Sequence, residues 1–274
     1  MKIHDVNQFR KKILEYYRRN KRDFPWRETF EPWHILVSEV MLQQTQVQRV
    51  AVKYPEFIKS FFSPGACANA PLSAVLAKWQ GLGYNRRAKY LKQTAEILVA
   101  AHGGKVPDTL AELVRLPGIG KNTAGAILAF AFNIAVPFIE TNIRAVYIHL
   151  YFNDNAAVHD RDILEKIAAT LDLKNPRVWY WALMDYGVYL KTQHNGLLQQ
   201  SVHYKKQAVF KGSNRELRGA VIRLLLKEGP VSAAEAAGRL SKPEGLTKKT
   251  MDGLVKEKML EKLYGRYMLR EEDI

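Results

Sequence analysis

The sequence predicts an all-α fold, in which a long helical domain with a helix-hairpin-helix unit precedes a small winged helix-turn-helix domain. Apolar residues at helical spacing dominate residues 6–192, and glycine and proline turns interrupt them. Near the carboxyl end, three short helical segments precede two short strands with Gly265 at their turn. We expect a helical domain over residues 1–192, a basic linker over 193–214 and a winged-helix-like domain over 215–274.

The charge of the chain points to a polyanionic partner. Its 274 residues include 42 Lys and Arg against 27 Asp and Glu, which gives a net charge of +15. Because 47% of the residues are hydrophobic, the chain can bury an ordinary core, and nucleic acid explains the basic excess better than disorder does.

Cysteine and histidine usage argues against metal and disulfide chemistry. Cys67 is the single cysteine, so one chain can form neither a disulfide framework nor a cysteine-ligated cluster. His34, His102 and His149 lack the spacing of metal ligands. The amino-terminal segment is charged and no apolar run has membrane-spanning length, so we expect a cytoplasmic protein without membrane contact.

The segment LPGIGKNTA at 116–124 predicts a phosphate-binding hairpin. Gly118 and Gly120 precede a helix-forming run, so backbone amides at the start of that helix can point towards a phosphate. Lys121 adds a positive charge there, and Pro117 fixes the entry to the turn. The alternative is an ordinary glycine-terminated helical turn.

A second segment of interest is WHILVSEVMLQQTQVQRV at residues 33–50. It fits one helix with an apolar face that includes Val40 and Val47, and it places Glu39 and Gln43 on a shared face. An acid in an apolar segment is costly to bury unless it is hydrogen-bonded or functional. The alternative is a surface glutamate on an amphipathic helix.

The carboxyl-terminal domain offers a second surface for DNA. Its third helix is predicted to begin at Leu246, so Lys248 and Lys249 make the amino end of that helix basic. The wing would carry Arg266. The alternative is a packing or protein-contact module, a role that winged helices also serve.

Four segments together resemble the helix-hairpin-helix DNA glycosylases, and most closely the MutY-type adenine glycosylases. They are SEVMLQQTQV at 38–47, WQGLGYNRRAKYL at 79–91, LPGIGKNTAGAIL at 116–128 and the acid at Glu140. The resemblance spans roughly residues 5–190 with the motifs in the order of that family. It implies a two-lobed fold and removal of a mispaired, flipped-out adenine from double-stranded DNA.

The resemblance also implies roles for individual residues. Glu39 would protonate the adenine ring, Glu140 would stabilise the cationic sugar, and Asn142 would lie beside them. Trp26, Arg27 and Asn122 would belong to the base pocket. The residues expected to contact DNA are Gln43, Gln44, Tyr84, Arg86, Arg87, Leu116, Gly118, Gly120, Lys121, Lys248 and Lys249, of which Gln44 and Tyr84 would wedge into the base stack.

Several departures from the family pattern bear on the expected activity. Glu140 replaces the usual aspartate, and Asn122 lies where bifunctional relatives carry a lysine nucleophile, which favours a monofunctional enzyme. Lys191 occupies the position of the first cluster cysteine, so no iron–sulfur cluster is expected. The basic stretch over residues 203–211 would replace the cluster's structural role, and a winged helix stands where the family has a Nudix-like domain.

Three functional readings stay open at this point. The first is a monofunctional glycosylase for adenine opposite guanine or 8-oxoguanine, the second is a glycosylase for mispaired thymine, uracil or another damaged base, and the third is a non-catalytic DNA-binding protein. We expect a monomer that requires no cofactor. By resemblance, a monovalent or hydrated cation would bind the hairpin carbonyls of Val114, Leu116 and Ile119.

Overall fold

The computed structural model describes residues 5–152, 157–205 and 209–271, and it confirms the predicted all-α class. The helices of this described part are α1 Val6–Asn20, α2 Pro32–Leu42, α3 Val47–Ser60, α4 Pro64–Ala68, α5 Leu72–Trp79, α6 Arg86–His102, α7 Leu110–Leu113, α8 Lys121–Phe132, α9 Thr141–Tyr151, α10 Asp160–Thr170, α11 Pro176–Gln193, α12 Asn214–Glu228, α13 Ala233–Leu240 and α14 Glu244–Lys256. Short 3-10 helices cover Pro25–Arg27 and Leu197–Gln200. The strands β1 Leu260–Leu263 and β2 Arg266–Leu269 pair antiparallel, with Leu260 opposite Leu269.

The chain forms two compact units, each built from separated segments. The first unit contains residues 1–35, 107–115 and 119–206, and the second contains residues 36–106, 116–118 and 207–274. The division falls inside α2, between Ile35 and Leu36. The domain boundaries expected from the sequence, at 192/193 and 214/215, stay a prediction.

The first unit is organised around the long helix α11. This helix packs against α1, α8 and α9, and it is buried on most sides because its sequence WYWALMDYGVYL is apolar nearly all round. Aromatic side chains fill the interior, where the Phe9 ring meets Tyr147 and Trp179 at centroid distances of 5.5 Å. This core fixes α9 and α11 against each other.

The second unit joins the central helices to the carboxyl-terminal segment. Helix α6 packs on α4 and α5, and α12 packs on α5 as well as on α13 and α14. Val231 pairs with Tyr267 beside the β1–β2 hairpin, which adds a third extended segment to it. The three helices and the hairpin expected from the sequence are present, and their role as a winged helix stays a prediction.

No helix in the described ranges combines the length and the apolar composition that a membrane crossing requires.

Candidate active site and DNA-binding residues

Glu39 lies in a helix that is otherwise largely buried. Trp33, Leu36 and Val40 of α2 are at most 3% exposed, and Ser38 next to Glu39 is fully buried. Glu39 itself is half-buried. A carboxyl group in such surroundings is costly to desolvate, which makes Glu39 a candidate for chemistry rather than for surface solvation.

The expected single helix over residues 33–50 is wrong, because α2 ends at Leu42 and α3 begins at Val47. Gln44 between them has a left-handed backbone with φ of 55°, which a continuous helix does not allow. The expected placement of Glu39 and Gln43 four residues apart on one helix therefore does not hold. The apolar spacing continues past the turn because Val50 of α3 is fully buried and Val47 is half-buried.

Arg87 explains why α2 ends there. Its Nη1 atom donates hydrogen bonds to the carbonyl oxygens of Val40 at 2.7 Å and Met41 at 2.8 Å, in the last turn of α2. Its Nη2 atom donates to Thr45 Oγ1 at 2.8 Å and to the carbonyl of Gly83 at 3.1 Å. A helix end leaves such carbonyls without intrahelical partners, and this guanidinium satisfies them.

The expectation that Arg87 contacts DNA needs correction. Arg87 is only 8% exposed, and burial lowers the pKa of its guanidinium to about 10. Its guanidinium carbon lies 5.2 Å from the Trp79 ring centroid. Arg87 is a structural residue of the second unit, whereas its neighbour Arg86 is exposed.

The two glutamines after α2 are placed differently from each other. Gln43 donates from Nε2 to the carbonyl oxygen of Gly118 at 3.1 Å, which joins the turn after α2 to the hairpin. Gln44 is exposed, as the expected wedge role requires. Tyr84 has a left-handed backbone with φ of 49° and is half-buried.

The hairpin has the backbone that its glycines predict. Gly118 has φ of 76°, a backbone conformation that favours glycine, and a Cβ atom there would crowd the Tyr90 ring at 3.0 Å from Cδ2. Gly120 is the N-cap of α8, and Lys121 begins that helix with an exposed side chain. Leu116 is 3% exposed, so its side chain serves packing and only its backbone is available.

Glu140 is the N-cap of α9 and is fixed by its own helix. Its Oε1 accepts hydrogen bonds from the backbone amides of Asn142 at 2.8 Å and Ile143 at 2.9 Å. Its Oε2 accepts from Asn142 Nδ2 at 3.0 Å. The positive end of the helix dipole and three donors thus hold both carboxylate oxygens.

Sequence reasoning missed Gly187, which brings α11 against the start of α9. A Cβ atom at Gly187 would lie 2.1 Å from the backbone oxygen of Asn142, so only glycine permits this approach. The Oδ1 atom of Asn142 is buried and has no hydrogen-bond partner among the described residues. Such an atom is costly to leave unpaired, and it lies on the side chain that also holds Glu140.

Lys191 shares the electrostatic environment of Glu140. Burial lowers the pKa of the half-buried Lys191 amine, and the negative charge of Glu140 opposes that shift. Lys191, at the position of the family's first cluster cysteine, therefore lies in the electrostatic field of the candidate catalytic carboxylate.

Arg27, expected in the base pocket together with Trp26, binds a buried acid that sequence reasoning also missed. Both amino groups of the Arg27 guanidinium donate to Asp185 at 2.9 Å, and the Asp185 side chain is 1% exposed. Arg22 Nε donates to the same carboxylate at 2.7 Å. Trp26 is 6% exposed and stacks on Phe24. Asp185 is the one acid in the largely apolar α11, and this was the sequence signal that could have revealed the buried ion pair.

Asn122 and the two lysines of α14 that were expected at the DNA are all exposed. Asn122 is exposed, and its Oδ1 accepts a hydrogen bond from the Ile139 amide at 3.2 Å, which ties the start of α8 to the segment before Glu140. Lys248 and Lys249 are exposed on α14, which begins at Glu244, two residues before the predicted start. Their contact with DNA stays a prediction.

The family pattern contains an iron–sulfur cluster held by four cysteines, and the single Cys67 cannot supply those ligands. Cys67 is buried, and burial raises the pKa of its thiol to about 12. Within the described ranges, no group of three His, Cys, Asp or Glu side chains is arranged to hold a metal ion. Residues 206–208 of the basic stretch expected to replace the cluster lie outside the described residues. The hairpin cation stays a prediction.

The chain is similar in sequence to known DNA repair proteins. Residues 37–171 match the HhH-GPD superfamily base excision DNA repair proteins. The adenine DNA glycosylase of Mycobacterium tuberculosis is 34% identical over 244 residues, which cover 81% of this chain and 80% of the relative. The adenine DNA glycosylase of Buchnera aphidicola subsp. Baizongia pistaciae is 36% identical over 189 residues, which cover 68% of this chain and 54% of the relative.

Two solved structures are similar in fold. A thermostable thymine-DNA glycosylase has a TM-score of 0.59 and 27% identity, covering 66% of this chain and 85% of its own. An endonuclease III trapped in a covalent intermediate with DNA has a TM-score of 0.58 and 16% identity, covering 68% and 88%, and it shows the fold alone.

The chain belongs to the HhH-GPD superfamily of base excision DNA repair proteins. Within that superfamily it belongs with the adenine DNA glycosylases.

Proposed function

We propose that the protein is a monofunctional DNA glycosylase that hydrolyses the N-glycosidic bond of adenine mispaired with guanine or 8-oxoguanine in double-stranded DNA. The observation that carries this proposal is Glu39, a carboxyl group within SEVMLQQT on an otherwise buried helix. Membership of the adenine DNA glycosylase family supports the choice of base.

The proposed reaction begins with general acid catalysis. The target adenine leaves the base stack, and Glu39 donates a proton to a ring nitrogen, which makes the base a better leaving group. Positioned acids of this kind typically contribute about 10²- to 10⁴-fold to the rate.

Glu140 would stabilise the sugar cation that forms as the glycosidic bond breaks. Its two oxygens are already oriented by three donors of α9, so they need little reorganisation when positive charge develops. Water then adds to the sugar, which leaves an abasic site and free adenine. The two carboxyl groups thus divide the work as in other reactions that break glycosidic bonds.

Asn122 supports a monofunctional reaction. A lyase step needs an amine that forms a Schiff base with the sugar, and the amide of Asn122 is not a nucleophile. Lys121 beside it is exposed at the start of α8, and we assign its charge to phosphate binding rather than to covalent chemistry.

A Glu39→Gln variant tests the proposal. We expect it to lose base release by at least about 100-fold while its affinity for mismatched DNA stays within a few-fold, because only the proton donor is removed. Glu31→Gln is the matched control, since Glu31 is exposed just before the same helix. Loss of binding with unchanged turnover in Glu39→Gln would refute the proposal.

A second candidate is a glycosylase for mispaired thymine or uracil. It is favoured by the similarity to the thymine-DNA glycosylase structure and by Asn122 and Glu140, which depart from the usual pattern near the reacting base. Single-turnover release from duplexes that carry adenine, thymine, uracil or hypoxanthine against each opposite base separates the two candidates.

A further inference from the structure

The β1–β2 hairpin is anchored firmly below its turn. Val231 and Tyr267 exchange two backbone hydrogen bonds, at 2.8 Å and 3.1 Å. The Tyr267 hydroxyl also donates to Asp252 of α14 at 2.6 Å. The hairpin tip, which we define as residues 263–265, therefore lies at the end of a well-supported element.

Arg266, the cation that the sequence placed in the wing, is held by this support. Its Nη2 atom donates to the backbone oxygen of Pro230 at 3.0 Å and lies 3.2 Å from a carboxylate oxygen of Glu235. Arg266 therefore helps to fix the hairpin. The side chain that the tip presents to solvent is Tyr264 instead.

Tyr264 occupies a position that local physics assigns to other residues. Leu263 pairs with Arg266, so Tyr264 and Gly265 form a two-residue turn, and both have a left-handed backbone, with φ of 49° and 80°. Such a turn favours the pair Asn-Gly, and a bulky residue at its first position is strained.

The ring of Tyr264 does not offset that strain within the protein. The side chain is fully exposed and has no hydrogen bond or ring contact with any described residue. Leu263 beside it is exposed as well. A strained residue whose side chain stabilises nothing inside the described part of the chain is suited to contact a partner.

The charges around the tip indicate the chemistry of that partner. Two carboxylates of the segment 256–266, Glu257 and Glu261, are half-buried, and Glu257 binds two arginines. The exposed charged side chains of the same segment are all cations, namely Lys256, Lys258, Lys262 and Arg266. An apolar tip among cations suits a polyanion that also offers sugars and bases for apolar contact.

Resting on the proposed function only in that its substrate is duplex DNA, we propose that the hairpin tip is an additional DNA-binding element. Tyr264 and Leu263 pack against sugars and base edges, and Lys262 pairs with a phosphate. Because these contacts do not select a particular base, the tip adds affinity for every duplex.

Tyr264→Asn separates the contact from the fold. Asparagine suits the left-handed turn, so the thermal midpoint should equal or exceed that of the wild type, while affinity for an undamaged duplex should fall about tenfold. Tyr264→Phe keeps the ring and should keep the affinity. Phe62→Ala is the matched control, since Phe62 is 66% exposed just after α3, and it should not weaken binding. An unchanged affinity in Tyr264→Asn would overturn the proposal.

Tyr264→Trp reports the contact directly. The five tryptophans of the chain are at most 9% exposed, so an indole at position 264 would be the most accessible to acrylamide. Saturating duplex should reduce its quenching severalfold, whereas the quenching of Phe62→Trp should not change. A tip indole that is as accessible in the complex as in the free protein would contradict the proposal.

Lys262→Ala tests the phosphate contact. It should reduce the slope of log affinity against log salt by about 1. Lys11→Ala is the control, because Lys11 is an exposed lysine of α1 in the first unit, and it should leave the slope unchanged. Equal slopes in Lys262→Ala and the wild type would refute this contact.

The hairpin tip and the proposed glycosylase function fail in different ways. If the chain binds duplex but releases no base, the proposed function fails, and quenching and affinity still decide whether the tip contacts DNA. If adenine is released while the tip indole stays accessible, the tip proposal alone fails. A chain that binds no duplex overturns both.

Discussion

Glu140 is longer than the aspartate usual at its position, yet its carboxylate is not loosely held. Three hydrogen bonds from Asn142 and Ile143 fix both oxygens at the start of α9, and Gly187 allows α11 to approach this turn. The extra methylene therefore shifts the carboxylate without freeing it. The hydrogen bonds of the helix cap set where the carboxylate lies.

We predict that Glu140→Gln slows single-turnover base release by about 10²-fold or more, because the negative charge that stabilises the sugar cation is lost. Glu140→Asp is the matched control, since aspartate retains the charge and is also a favourable N-cap residue. It should retain more activity than Glu140→Gln. Equal activity in Glu140→Gln and the wild type would contradict the assigned role.

At this scale, the sequence predicted residues in recognisable motifs better than residues whose partners are distant. Glu39 and Glu140 were located by motif, and their catalytic roles stay a prediction. Arg87 was expected to contact DNA, but its guanidinium donates to carbonyls at the end of α2 and at residues 82–83 and to the Thr45 hydroxyl, which no local pattern reveals. The carbonyls at the end of α2 reach Arg87 only through tertiary packing.

At the scale of single elements, the end of α2 depends on one side chain. Replacing Arg87 by Met should lower the free energy of unfolding by about 3 kcal/mol, because the buried carbonyls of Val40 and Met41 lose a charged donor. Arg49→Met, which changes an exposed arginine, should cost less than about 0.5 kcal/mol. Urea unfolding measures both, and a loss below about 1 kcal/mol in Arg87→Met would contradict the capping role.

Glu257 gives the carboxyl-terminal helices a pH dependence. Burial raises its pKa, but hydrogen bonds from Arg86 and Arg218 outweigh burial and hold the pKa below the usual 4.5. A lowered pKa in the folded state means that the stabilisation is present above pH 4.5 and is lost as pH falls below that value.

The thermal midpoint of Glu257→Gln should therefore lie below that of the wild type at pH 7, and the gap should shrink between about pH 5 and pH 3. Glu261→Gln on β1 is the control, because the structure gives the Glu261 side chain no ion pair within the described part. A difference in thermal midpoint that stays constant over this pH range would show that the ion pairs of Glu257 contribute nothing to stability.

The order of the elements was largely predictable, whereas the breaks between them were not. The three carboxyl-terminal helices and the hairpin follow from local spacing and from Gly265, and the hairpin at Gly118 follows from its glycines. The interruption between Leu42 and Val47 was missed because glutamines carry no turn signal. It arises from the left-handed Gln44 and from the distant Arg87.

At the scale of the whole molecule, the net charge of +15 should dominate affinity for DNA. If about six phosphates are neutralised, affinity should fall roughly 10³-fold as the salt concentration rises from about 50 to about 200 mM. Fluorescence anisotropy with a labelled duplex measures the slope. An affinity that does not change with salt would contradict a binding surface made of lysine and arginine.

The most direct test of the central claim is single-turnover release of adenine placed opposite guanine or 8-oxoguanine, with strand breaks scored before and after alkali. We predict that adenine is released and that breaks appear only after alkali, as expected of a monofunctional glycosylase. Release of a different base, or breaks that appear without alkali, would contradict it.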